Sequence, residues 1–365
     1  MRRPYLKFAR RILATRMARM RGRAVMPYKL TVNLTNLCNS GCITCSIWDV
    51  YAKGRNRELF HQELSVEELE KVVASFGPDL FWLNLTGGEP TLKRGLARLV
   101  RHAVEQCPNL FLVNIPLNGI LPGRTEAVVR QLAAENPQVE VHVTLSVDGL
   151  GTEQDRIRGF EGHWDRSMES WRRLRALRLE HANLRCSFQS TISPLNLDQA
   201  GDLFRELAPE SDTYIVTFAH EAELYRNQGS GTAASSAPER ARKAAQLLEK
   251  LYRFRPWRPL ELLPKAFLRI TGKRLEDGRS GVQCMAGAAT ITVDPYGMTH
   301  PCLFLPDTMG DLRKYDFDMR RLLFADPAAD AGRATARACD ACWINCEAIP
   351  SMLASPLRTL ERLAV

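Results

Sequence analysis

The sequence predicts an α/β protein: a barrel-like or open sheet of six parallel strands, followed by a smaller Cys-rich region. Three observations carry this. Apolar, β-rich runs recur at 30–34, 80–85, 110–115, 139–146, 184–191 and 213–218. Stretches with helical spacing separate several of them, at 65–75, 95–105, 124–134, 164–179 and 197–207, and strands separated by helices imply parallel βαβ units. The 365 residues suggest roughly two domains at about 150 residues each, ample for a sizeable core.

In chain order, the first element is a basic arm. Residues 1–30 hold ten Lys and Arg and no acid, so the formal net charge of +9, less those ten, leaves −1 for the remainder. Leu6, Ala9, Leu13, Met17 and Met20 step by three or four, and residues 1–27 read as a basic amphipathic helix. Such a helix lies on an anionic membrane surface or docks an acidic partner, or else packs on the barrel by that seam with its Arg face solvated. The near-neutral body gives no signal for nucleic acid. No run approaches the roughly 20 apolar residues that span a bilayer. The arm is too Arg-rich for a secretory signal, so a reducing, cytoplasmic setting is expected, with the helix as the route to any membrane contact.

The first strand runs into Leu34-Thr35-Asn36-Leu37-Cys38-Asn39-Ser40-Gly41-Cys42-Ile43-Thr44-Cys45. The helix at 65–75 opens on Ser65, an N-cap with Glu67 and Glu68 in the first turn. The second strand ends in Thr86-Gly87-Gly88-Glu89-Pro90, where glycines let backbone approach a neighbour closely. Asn118 follows the third strand, and Ser146 and Asp148 end the fourth, ahead of Asp155-Arg156-Ile157-Arg158-Gly159. The fifth strand ends near Gln189 and Thr191. Residues 228–238 are small and polar, a flexible linker or surface loop. Helices are expected at 239–254 and 260–270, and a hairpin from strand 287–293, turn 294–297 and return 298–303. This divides the chain into an N-terminal helix (1–27), a barrel (28–225), a linker with helices (226–280), a Cys-rich domain (281–350) and a tail (351–365).

Ten cysteines are too sparse for a disulfide scaffold. Eight of them cluster: Cys38, Cys42 and Cys45 at C-x3-C-x2-C spacing, and Cys284, Cys302, Cys339, Cys342 and Cys346 beyond residue 280. Close spacing lets one loop wrap several thiolates around one centre. Three thiolates leave a four-iron cluster one ligand short, which keeps an iron open to another group. Cys107 and Cys186 have no partner pattern and read as core or loop residues.

The three-Cys loop followed about 40 residues later by GGEP resembles the radical S-adenosylmethionine (SAM) superfamily; Thr44 stands where that family often has an aromatic residue. The resemblance implies a partial (β/α)6 TIM-like barrel in which Cys38, Cys42 and Cys45 hold a [4Fe–4S] cluster whose open iron chelates SAM. It implies further that Gly87, Gly88, Glu89 and Pro90 meet the methionine ammonium, and that Ser146 and Asp148 meet the ribose. Asn118 and Gln189 face the same cavity, and Arg156 or Arg158 pairs with the SAM carboxylate. The C-terminal cysteines resemble the SPASM or twitch extension, the smaller twitch form fitting five cysteines. It implies an auxiliary [4Fe–4S] cluster on Cys284, Cys302, Cys339 and Cys342, with Cys346 able to replace one. Zinc is the rival there. The implied activity is reductive cleavage of SAM to a 5′-deoxyadenosyl radical that takes hydrogen from a peptide, a sugar or alcohol, or a lipid-linked small molecule. An electron donor such as flavodoxin or ferredoxin would feed it, and no catalytic side chain beyond the cluster is singled out. A non-catalytic iron–sulfur or zinc protein on the same scaffold is the alternative; GGEP and the open three-Cys site favour the enzyme, because an electron carrier needs no SAM pocket. Deleting residues 1–22 is expected to leave both clusters intact.

Overall fold

The computed structural model describes residues 3–252, 262–340 and 342–364. After helix α1 (Arg3–Met20), strand β1 (Lys29–Asn33) leads through two short helical turns, α2 (Arg57–His61) and α3 (Val66–Ala74) to β2 (Trp82–Thr86). The series continues with α4 (Leu96–Gln106), β3 (Leu112–Leu117), α5 (Pro122–Glu135), β4 (Glu140–Ser146), α6 (Thr152–Arg158) and α7 (His163–Glu180). Next come β5 (Leu184–Ile192), α8 (Ala200–Leu207), β6 (Ile215–Phe218), α9 (Pro238–Leu251) and α10 (Leu262–Asp277). The C-terminal part holds β7 (Thr290–Val293), β8 (Met298–His300), β9 (Gly310–Asp311), α11 (Met319–Ala325), α12 (Pro327–Ala338), α13 (Asn345–Ala354) and α14 (Pro356–Ala364). The expected strands and helices are present, with ends shifted by a few residues. Ser65 caps α3 in a full capping box with Glu68. The expected helix ends at 253–254 and 260–261 lie outside the described residues.

Strands β1 to β6 lie side by side in chain order, all parallel, in an open sheet. Parallel sheets usually read as continuous apolar runs, because helices cover both faces. Here the residues alternate. Leu30, Val32, Leu83, Leu85, Val113, Ile115, Val141 and Val143 pack in the core. The intervening Lys29, Asn84, Thr86, Asn114, His142, Ser146, Gln189 and Thr191 line a cavity of about 580 Å³. The sheet is therefore a partial barrel with a polar lumen. Thr31, Asn84, Asn114 and His142 are register partners across four strands, one polar layer, and Asn114 Nδ2 donates to Asn84 Oδ1 at 2.6 Å.

Three sequence expectations change. The C-terminal hairpin does not stand apart: β7 pairs parallel with β1, Lys29 opposite Thr290, and β8 and β9 extend the same sheet antiparallel. It thereby covers β1, which would otherwise be an open edge. Residues 228–238 are not a free linker. Ala233 and Ala234 are buried, and the Glu221 carboxylate accepts from the amides of Gly229 and Gly231. Finally, α1 does not pack by its Leu/Met seam. Phe8 meets Tyr28 and Phe111 edge-on and Phe81 at a tilt, the residues just before β1, β3 and β2, so α1 closes the N-terminal end of the barrel. Arg11 pairs with Asp79 at 2.8 Å, and buried Arg19 donates to the Ala286 carbonyl. Aromatic packing and these two anchors outweigh the smaller aliphatic seam.

Candidate active site

The three-Cys loop leaves β1 at the C-terminal end of the strands, and Cys38, Cys42 and Cys45 all line the cavity. Two neighbours hold the loop. The GGEP segment packs against it directly: Gly88 N donates to Thr35 O and Glu89 N to Leu37 O. A Cβ on Gly87 would stand 2.5 Å from Thr35 O, and one on Gly88 2.2 Å from Leu37 O. The glycines are needed for this backbone contact, whatever else approaches them. From the other side the end of α6 is stitched on, Gly41 N donating to Arg158 O and Ile43 N to Ile157 O. Burial pushes the Cys38 and Cys45 thiols up to about 12, so loading a metal centre here displaces protons.

Glu89 reaches the cavity, but its carboxylate buckles two loops, accepting from Thr91 N, Thr91 Oγ1 and, at 2.8 Å, Asn118 N. Pro90 is buried off the cavity and starts a short helical turn. Asn118 Nδ2 donates to Asn39 Oδ1 in the Cys loop. Asp148 is buried and engaged: Thr191 N donates to Oδ1 at 2.7 Å, and Arg158 pairs with Oδ2 at 2.7 Å. Ser146 and Gln189 differ, since among the described residues no hydrogen bond holds either side chain and both face the cavity. The structure also separates the two arginines. Arg156 is exposed and pairs with Glu153. Arg158 is mostly buried, its side chain 11% exposed, with Nη1 3.7 Å from Cys42 Sγ. Burial opposes its charge, yet Asp148 and Cys42 outweigh that and raise its pKa.

The five C-terminal cysteines are neighbours. Cys342 is coupled electrostatically to Cys284, Cys339, Cys346 and Cys302. Ala286 N donates to Cys284 Sγ and Phe304 N to Cys302 Sγ, bonds of the kind that tune a cluster's potential. Burial lifts Cys284 to about 11 and Cys346 to about 12, and Cys302 and Cys342 further. Of the five, only Cys346 lines the cavity, and its carbonyl accepts from buried Lys29. Tyr225, just beyond β6, lines the same cavity within electrostatic reach of Cys346, Cys45 and Cys302, and so lies between the two thiol groups. Among the described residues no three His, Cys, Asp or Glu side chains are grouped for a single metal ion; ligands of a four-iron cluster each bind a different iron and stand wider apart. Three thiols on one cavity wall, with a buried guanidinium beside them, fit such a cluster. Sequence reasoning missed Tyr225, Lys29, Asn84, Asn114 and His142. Their signals were position after a strand's C-terminal end and the polar half of each strand's alternation.

The site is thus a partial barrel with a three-thiol loop and a Gly-Gly-Glu segment together at the C-terminal ends of its strands. Residues 32–207, just under half of the chain, match the model of the Radical SAM superfamily. It is 31% identical over 187 residues to the sporulation killing factor maturation protein SkfB of Bacillus subtilis (strain 168), covering 50% of this chain and 40% of SkfB. It is 27% identical over 202 residues to Fe-coproporphyrin III synthase of Methanosarcina barkeri, covering 54% of this chain and 44% of that protein. The chain thus matches less than half the length of either relative. Its fold is like that of native anSMEcpe with bound AdoMet and Kp18Cys peptide, at TM-score 0.56 and 16% identity over 85% of this chain and 84% of that one.

Proposed function

We propose that this chain is a radical SAM enzyme with an auxiliary iron–sulfur cluster, and that the polar lumen holds its substrate. The observation that carries the reading is one cavity shared by Cys38, Cys42, Cys45, Gly87–Glu89, Tyr225 and Cys346. When bound, the first cluster supplies one electron to SAM, whose cleavage yields a 5′-deoxyadenosyl radical able to take hydrogen from a substrate. The chain's own residues do the rest. Cys38, Cys42 and Cys45 hold the cluster, and Arg158 balances negative charge at Cys42 while Asp148 fixes its guanidinium. Ser146 and Gln189, unbonded and facing inward, are the residues to meet the ribose. Gly87 and Gly88 set the strand-end backbone against the Cys loop where the methionine ammonium would lie.

Cys284, Cys302, Cys339 and Cys342 form the auxiliary set in this reading, giving a twitch-type domain over 281–350. Cys346 is left facing the substrate side. The lumen floor offers Asn84, Asn114 and His142, while Trp48, Phe304 and Phe267 line other walls, so a substrate with both polar and apolar parts is accommodated. Support for a peptide comes from SkfB, a maturation protein by name, and from the peptide in the solved likeness. Fe-coproporphyrin III synthase shows that similar chains bear other names.

The test is anaerobic reconstitution with iron and sulfide, then dithionite and SAM. About seven to eight irons per chain and formation of 5′-deoxyadenosine are expected. Iron binding without deoxyadenosine under any reducing condition would refute the enzyme in favour of a non-catalytic iron–sulfur protein. Zinc retention at the C-terminal cysteines would refute the auxiliary cluster alone.

A further inference from the structure

The docking of α1 leaves its seam uncovered. Phe8, Ile12, Thr15 and Arg19 turn towards the protein, Thr15 and Arg19 being buried. Leu6, Leu13, Met17 and Met20 are 63%, 57%, 42% and 75% exposed. At 3.6 residues per turn these four fall within an arc of roughly 60°, about 140° round the helix from the docked face. Arg16 flanks the arc on one side, and Arg10, Arg21 and Lys7 on the other. Among the described residues none of these four basic side chains has an acidic partner; Lys7 bonds only to Asn109. An apolar stripe between basic flanks is the arrangement of a helix lying in a lipid interface.

We propose that α1 seats this protein on an anionic lipid surface, with Leu6, Leu13, Met17 and Met20 among the acyl chains and the flanking arginines at the headgroups. Charge chooses the occupant: residues 1–30 carry ten basic residues and no acid, while the remainder is near neutral. No helix among the described residues is long and apolar enough to cross a membrane, so α1 lies on the surface. Because α1 closes the N-terminal end of the barrel, lipid contact there leaves the opposite end, with the three-Cys loop, away from the surface.

The experiment is sedimentation of the full, cluster-loaded chain with phosphatidylcholine vesicles, with and without phosphatidylglycerol. Truncation is unsuitable, because removing α1 bares Tyr28, Phe81 and Phe111. The Leu13→Glu/Met17→Glu variant keeps Phe8 and Arg19, and is checked by its iron content and melting temperature. The wild type is expected to bind phosphatidylglycerol vesicles at least about tenfold more tightly than phosphatidylcholine alone. The double variant is expected to lose that gain, as is a second variant, Arg10→Gln/Arg16→Gln/Arg21→Gln. Equal binding by wild type and both variants, or no vesicle binding, overturns the proposal. So does a change of oligomeric state in the Glu variant with vesicle binding unaltered, which would assign the stripe to a second copy. None of these outcomes bears on the cluster chemistry.

Discussion

Replacing Gly159 by Ala should strip the cluster from Cys38, Cys42 and Cys45 while sparing the C-terminal cysteines. Gly159 ends α6 in the left-handed region, at φ 64° and ψ 34°. An alanine there costs about 1–2 kcal/mol in backbone strain. The larger effect is steric. Its Cβ would stand 2.1 Å from the Gly41 carbonyl oxygen, whereas real Cβ contacts essentially never fall below 3.0 Å. One backbone segment must therefore retreat by about 1 Å, and neither is a flexible side-chain end. The bonds at risk are Gly41 N to Arg158 O, Ile43 N to Ile157 O and Ser40 Oγ to Arg158 O, each worth about 1 kcal/mol. Strain and lost bonds together reach about 4–5 kcal/mol, concentrated on the loop between Cys38 and Cys45. The assay is iron content and the electron paramagnetic resonance spectrum after dithionite reduction. Iron should fall from about eight to about four per chain. Two controls separate the causes. Gly41→Ala, with its Cβ at 3.1 Å from Gly159 O, should lose far less. Gly229→Ala, at φ 73° with open space around it, carries the strain without the clash and should keep its iron. Full iron in Gly159→Ala, or equal loss in Gly229→Ala, would refute the reasoning.

Arg158→Ala strands a buried Asp148 carboxylate and should cost about 3–5 kcal/mol, whereas exposed Arg156→Ala should stay within about 0.5 kcal/mol; thermal melts of the two variants decide, and equal shifts would sink the distinction. Cys302→Ser should drop iron by about four per chain, while Cys346→Ser retains it, since Cys346 alone of the five faces the cavity; iron loss in Cys346→Ser alone would exchange their roles. Acid should destabilise the fold sharply. Burial lowers His142 and His220 to about 4 and His163 to about 3, so between those values and about 6.5 the unfolded chain binds more protons. Their contribution is full above about pH 7 and falls as pH drops through that window, by about 2 kcal/mol per histidine at pH 5. Urea midpoints at pH 7 and pH 5 test this, and unchanged midpoints would contradict it.

What was legible in the sequence was what local chemistry determines. The Ser65 capping box, the strand–helix alternation and the spacing of Cys38, Cys42 and Cys45 need only near neighbours, and the structure places all three thiols on one wall. Arg156 and Arg158 resisted separation because they sit two positions apart on a short helix. Which one turns inward is decided by Asp148 just beyond β4, ten residues upstream, and by Cys42 in another loop. The α1 seam misled for a related reason. Periodicity identifies an apolar stripe but not whether a second face packs better, and here Phe8 meets three aromatic residues brought together only by the sheet.

The polar lumen is the more instructive miss, because its signal was local after all. Asn84, Asn114 and His142 interrupt otherwise apolar strands, each flanked by core residues such as Leu83 and Leu85, Val113 and Ile115, or Val141 and Val143. In an antiparallel sheet that alternation would mean a solvated face. In a parallel βαβ series the outer face must take the helices, so polar residues at period two can only point inward. A barrel interior filled with branched apolar side chains leaves no room for a ligand. One that gives the same positions to Asn, Thr and His must satisfy their donors and acceptors, and here only part of that demand is met by the protein. Asn84 and Asn114 bond to each other and His142 to Ser187, while the remaining amide groups of Asn84 and Asn114 face the cavity. Retaining such a layer costs core stability. Under the function proposed above, that cost fits a chamber that receives a polar substrate group, and the lumen layer is then the place to test what the chain selects.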